Sequence, residues 1–130
     1  KAAVDNDGQM KYLGYVPTHD LLEHYDYLLL FSEQEGLPLT LLEACRAGVP
    51  MITNDIPSVL EVNEDHRTGY VFRCLDDLAA GIGSLPKPCD TVYTTLSKAA
   101  RAKYEGLFRE EHMIAQYKAV MHTVYRNEKD

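Results

Sequence analysis

Two short, almost uninterrupted apolar runs limit what this chain can become. The first is DYLLLFS, Asp26 to Ser32; the second is VPMITN, Val49 to Asn54. Each has the length of a strand, and neither alternates polar with apolar residues. Each therefore suits a strand buried on both faces of a parallel sheet. Between them lie the turn EQEG and a helical segment from about Leu39 to Ala47, with Gly48 in the place of a C-terminal stop. The alternation extends in both directions. KYLGYV, Lys11 to Val16, reads as a short strand closed by Pro17, and Thr18 as the cap of a short helix, THDLLEHY. IPSVLEV reads as a short helix opened by Pro57, GYVFR as a fourth strand, and LDDLAAGIGSL as helical. Two helices end the chain. In the last, Ile114, Tyr117, Met121 and Val124 recur as an amphipathic stripe, a docking face for the core or for another domain. Strands alternating with helices predict an α/β fold, a parallel sheet of about four strands with helices on both faces.

The 130 residues suffice for one domain with a core. Lys plus Arg number 13 against 20 Asp plus Glu, a net charge of −7. That balance repels nucleic acid and anionic membrane. It leaves room for a phosphate ligand, because a helix N-terminus binds phosphate without side-chain charge. Cys45, Cys74 and Cys89 form neither a disulfide framework nor a zinc pair, which points to a reducing, cytoplasmic setting. No apolar run reaches the ~18 residues of a membrane span. Lys1 in place of an initiator methionine suggests a piece of something longer.

The stretch EGLPLTLLEA, Glu35 to Ala44, carries the chemistry. Open α/β sheets bind ligands beyond the carboxyl ends of their strands, and this turn leaves such an end and enters a helix. The first amides of that helix lack internal partners and face outward with partial positive charge, so a diphosphate fits there. Gly36 lets a ligand approach the backbone. Ionised carboxylates only accept hydrogen bonds and match sugar or ribose hydroxyls. Glu35 in the turn and Glu43 on the helix could grip hydroxyls on either side of a diphosphate. A plainer reading stands beside this one: Thr40, Glu43 and Arg46 form a polar stripe, and Glu43 could pair with Arg46 on a solvated face for ~0.2–0.5 kcal/mol. Glu33 is a second acid able to take the role given to Glu35.

From Tyr12 to Phe72 the chain resembles the donor-binding domain of the retaining glycosyltransferases of GT-B fold, the large family 4. Four features carry the resemblance, in order: Gly14 after a strand, the E-x7-E pair Glu35 and Glu43, EAxxxGVP from Glu43 to Pro50, and EDxxTGYV from Glu64 to Val71. The tail FREEHMIAQYKAVMHTVYR is similar to the family's C-terminal helix, more loosely. The resemblance implies a Rossmann-like, partial GT-B C-terminal domain spanning residues 1–130. It implies transfer of a sugar from a nucleotide-diphosphate sugar, with no cofactor. By position, Glu35 matches the acid that holds the donor-sugar hydroxyls, and Glu43 the acid on the ribose. Gly36 and Leu37 match the turn against sugar and phosphate, and Pro38, Leu39 and Thr40 the helix start beneath the diphosphate. The mechanism implied is positioning and stabilisation of the leaving diphosphate, with Glu35 as the catalytic-site acid.

Departures from the family qualify this. Leu37 and Pro38 stand where many members have phenylalanine and glycine, and Pro38 offers no N–H. Its fixed φ suits a first helical turn, so the helix should survive. The family's two leading strands, its basic pair for the diphosphate and its N-terminal acceptor domain have no counterpart in the chain. The chain alone is therefore expected to be inactive or nearly so, and to need that domain or a complementary chain. The alternative is a non-catalytic, glycosyltransferase-like interaction subunit. An uncovered sheet edge is expected to promote self-association. DNDG, Asp5 to Gly8, reads as a turn, no metal ligand set is found, and the five histidines form no HxxxH pair.

Overall fold

A computed structural model describes residues 10–127 of the chain. The sheet has three parallel strands, β1 (Leu28–Leu30), β2 (Met51–Asn54) and β3 (Gly69–Phe72), in that spatial order. Leu29 lies opposite Ile52, and Ile52 opposite Tyr70. The helices are α1 (Thr18–Leu21), prolonged by a 3-10 turn at Leu22–His24, α2 (Leu39–Ala47), α3 (Pro57–Leu60), α4 (Leu75–Gly81), α5 (Thr91–Lys103) and α6 (Glu110–Asn127). A π-helical turn, Tyr104–Phe108, separates the last two.

Side chains alternate across the strands, and each face of the sheet meets helices. On one face Met51 joins Leu41, Ala44 and Cys45 of α2, Ala100 of α5, and Val59 and Val62 in a single core, with Leu28 and Leu30 packed against it. Leu41 and Met51 are fully buried, each contributing roughly 1.5–3 kcal/mol by leaving water. On the other face α4 lies against β3: a side chain at Gly81 would meet the Phe72 ring at 2.7 Å. This second face is only partly covered. A shallow groove of about 430 Å³ runs between Tyr27, Leu29 and Ile52 and the segment Ile82 to Pro86, and Leu29 remains 53% exposed.

Helix α2 forms over the residues its pattern predicts, and Gly48 ends it in the left-handed region (φ 72°), its N–H bonded to the last carbonyls. Pro57 opens α3 as expected. Cys45 is a buried free thiol. It lies 3.8 Å from the Met51 sulfur, and burial pushes its pKa up to about 12. Lys103 of α5 reaches Glu64 at 2.7 Å, and this bond holds the Glu64 carboxyl below its ordinary range.

Two expectations are corrected and a third is narrowed. Lys11 to Val16 is not a strand, so among the described residues the sheet has three strands, not about four. A strand exists only through a ladder partner, and among the described residues β1 pairs with β2 alone. The run DYLLLFS yields only three strand residues. At Ser32 the side chain of Asn54 replaces the backbone partner: Asn54 Nδ2 donates to the Ser32 carbonyl (2.7 Å), and the Ser32 N–H donates to Asn54 Oδ1 (3.2 Å). The α6 stripe does not dock on this core, which leaves the other reading of it, a face for another domain. Ile114, Tyr117, Met121 and Val124 are all exposed. The turn at Asp5 to Gly8 lies outside the described residues.

Candidate functional site

The two acids of the E-x7-E pair sit on either side of the start of α2, and each is anchored. Glu35 is half-buried in the turn between β1 and α2, where Ser32 Oγ donates to its Oε1 at 2.6 Å. Its main chain is held as well, since Ser58 Oγ donates to the Glu35 carbonyl at 2.9 Å. Glu43, on the fifth residue of α2, is also half-buried. Its Oε2 accepts a hydrogen bond from the Thr18 hydroxyl. Thr18 is therefore not the cap of α1: Pro17 holds that position, and the threonine side chain turns to Glu43 instead.

Glu43 lines a crevice of about 150 Å³ with Glu23, Arg46, Ala47 and Arg101. Arg46 shares that crevice, yet no ion pair joins it to Glu43 among the described residues; Arg101 is paired to Glu105 at 3.2 Å. The solvated Glu43–Arg46 pair is thus not what the fold selects. Glu33 is exposed, whereas Glu35 is the acid fixed by hydrogen bonds.

Between the acids the surface is open. A side chain at Gly36 would meet nothing within 4 Å. Leu37 and Leu39 are exposed, at 47% and 69%. Pro38 is buried and occupies the cap position, and no side chain caps the helix. The Leu41 N–H turns back to the Pro38 carbonyl at 3.0 Å. The candidate residues thus run from the turn, Glu35, Gly36 and Leu37, through the buried Pro38 to Leu39, Thr40 and Glu43 in the first five residues of α2. Glu35 and Glu43 share no hydrogen-bond partner; what they share is the helix start between them.

Pattern reading missed Thr18, Ser32, Asn54 and Ser58. A signal was present: Ser32 and Asn54 are the polar residues that follow or close the apolar runs of β1 and β2, at the ligand edge of the sheet.

The sequence model of the family described as "Glycosyl transferases group 1" matches residues 2–102. The chain belongs to this family. Similar proteins include N-acetyl-alpha-D-glucosaminyl L-malate synthase of Bacillus anthracis, 30% identical over 85% of this chain and 29% of that protein. O-antigen chain mannosyltransferase B of Escherichia coli is 40% identical over 45% of this chain and 16% of that protein. The O-antigen biosynthesis glycosyltransferase WbnH of the same organism is 30% identical over 85% and 31%. This group 1 chain spans less than a third of the length of these relatives.

Proposed function

We propose that this group 1 chain is the donor-binding part of a retaining glycosyltransferase, a partial nucleotide-sugar-binding domain. The observation that carries this reading is the pair of half-buried, anchored carboxylates on either side of an uncapped helix start. The diphosphate of a nucleotide sugar lies against the first amides of α2, at Leu39 and Thr40, where the helix dipole favours negative charge. Glu35 accepts from the sugar hydroxyls, Glu43 from the ribose hydroxyls, and Gly36 and Leu37 form the open backbone alongside. Catalysis then consists of holding the donor and stabilising the departing diphosphate. The relatives' names speak of glucosaminyl and mannosyl transfer. That breadth supports a sugar as the transferred group without choosing which. Acceptor binding falls to the remainder of a longer protein or to a complementary chain, so the 130 residues alone are inactive.

Calorimetric titration of the chain with UDP, GDP and ADP tests this reading. One of the three is expected to bind, and Glu43→Ala to weaken it by about tenfold to a hundredfold, as befits lost hydrogen bonds to a charged acceptor. Binding unchanged by Glu43→Ala would remove that residue from the ribose role. A chain that binds none of them would favour the non-catalytic interaction subunit, a reading to which the exposed α6 stripe also lends itself.

Among the described residues no strand pairs with the outer edge of β1, which leaves that edge for a strand from elsewhere. Sedimentation velocity of the isolated chain is expected to show dimers or larger species growing with concentration. A single monomer peak up to high concentration would rule out self-pairing at this edge.

A further inference from the structure

The acid assigned to the sugar is not held by its own turn alone. Asn54, at the end of β2, takes both main-chain groups of Ser32, at 2.7 Å and 3.2 Å. Ser32 in turn donates its hydroxyl to Glu35 Oε1 at 2.6 Å. From the opposite side Ser58, near the start of α3, fixes the Glu35 carbonyl at 2.9 Å. A side chain in a turn would otherwise sample several rotamers. Here one carboxylate oxygen of Glu35 is tied to Ser32 of its own turn, itself fixed by Asn54, and the main-chain carbonyl is tied to Ser58 of α3.

We infer that Asn54, Ser32 and Ser58 form a clamp that positions Glu35 for the sugar half of the donor. This rests on the reading of Glu35 as the sugar-binding acid. The Ser32 hydroxyl occupies Oε1 and sets the plane of the carboxylate, which leaves Oε2 for a ligand hydroxyl. The diphosphate and ribose are bound on α2 and do not depend on that plane. Ser32, Asn54 and Ser58 are therefore positioning residues, and they separate affinity for the sugar from affinity for the nucleotide.

The test uses the 130-residue chain as wild type, Ser32→Ala, Ser32→Thr and Asn54→Ala. Each is titrated with UDP-glucose against UDP, GDP-glucose against GDP, and ADP-glucose against ADP. Amide hydrogen exchange is followed in parallel at residues 33–37. Ser32→Ala is expected to weaken the nucleotide sugar about tenfold while the free diphosphate binds as before. Ser32→Thr, which keeps the hydroxyl, is expected to restore it. Exchange at 33–37 should quicken in Ser32→Ala and Asn54→Ala while the β2 amides stay protected. Equal weakening of sugar nucleotide and free nucleotide would overturn the positioning role and leave a structural one. Exchange unchanged in both variants would overturn the clamp itself. If no wild-type pair binds, the donor-site reading fails with the ligand half of this inference, and exchange alone decides whether the clamp exists.

Discussion

Replacing Gly69 by alanine is expected to remove much of the chain's stability at room temperature. The reason is space, not backbone freedom. Gly69 sits opposite Met51 where β3 joins β2. An added Cβ would lie 1.9 Å from the Met51 carbonyl oxygen, 2.6 Å from its nitrogen and 2.7 Å from Asn63 Oδ1. The first two are main-chain atoms of the middle strand and cannot swing aside as a flexible side chain could. Relief requires β3 to move off β2, which opens the ladder and the fully buried core beneath Met51. A cost of roughly 4 kcal/mol or more follows, in the rare upper class of single substitutions, against a total stability of about 5–15 kcal/mol for a domain. Circular dichroism with urea unfolding reads it directly. A Gly69→Ala chain whose midpoint lies close to wild type would show that the two strands are not packed this closely.

That glycine also shows what a sequence can and cannot disclose. It was visible as part of EDxxTGYV, yet nothing in the pattern gives its reason, because the atom it must avoid is Met51, far away in sequence. Elements whose cause is local were legible. The Pro38-to-Gly48 helix, the Pro57 start of α3, and the apolar strands β2 and β3 stand where periodicity and end signals place them. Elements that need a distant partner were not. Lys11 to Val16 has strand composition and no ladder, and α6 has an apolar stripe and no surface beneath it among the described residues. At the candidate site, spacing and helix chemistry brought Glu35 and Glu43 forward but left a plain Glu43–Arg46 pair open, and the resemblance to the family is what gave the two acids their roles. Their anchors were not legible: Thr18 is 25 positions from Glu43, and Ser58 is 23 from Glu35.

Asn63→Ala is expected to cost about 3–5 kcal/mol, because it leaves several buried groups short of partners at once. Asn63 is fully buried, as are Thr53 and Thr68. Its Nδ2 donates to Thr53 Oγ1 at 2.9 Å and to the Tyr70 carbonyl at 3.1 Å, and its Oδ1 accepts from the Thr68 hydroxyl at 3.1 Å. Thr68 Oγ1 accepts in turn from the Glu64 N–H at 2.8 Å. Among the described residues every buried side-chain polar atom is satisfied, so the substitution breaks a complete network instead of trimming a loose one. Thr68→Val removes two of these bonds, to Asn63 Oδ1 and from the Glu64 N–H, where Asn63→Ala removes three, and should cost less. The double variant should cost less than the sum of the two, since the pair shares a bond. Urea unfolding should show a lower midpoint with an unchanged slope. Thr53 is the neighbour of Asn54, so the loss should also reach the ligand edge, with faster amide exchange in the Glu35 turn of folded Asn63→Ala. A penalty under about 1 kcal/mol would mean that water or relaxation replaces these bonds. The network would then be dispensable to the middle strand that carries the clamp on Glu35.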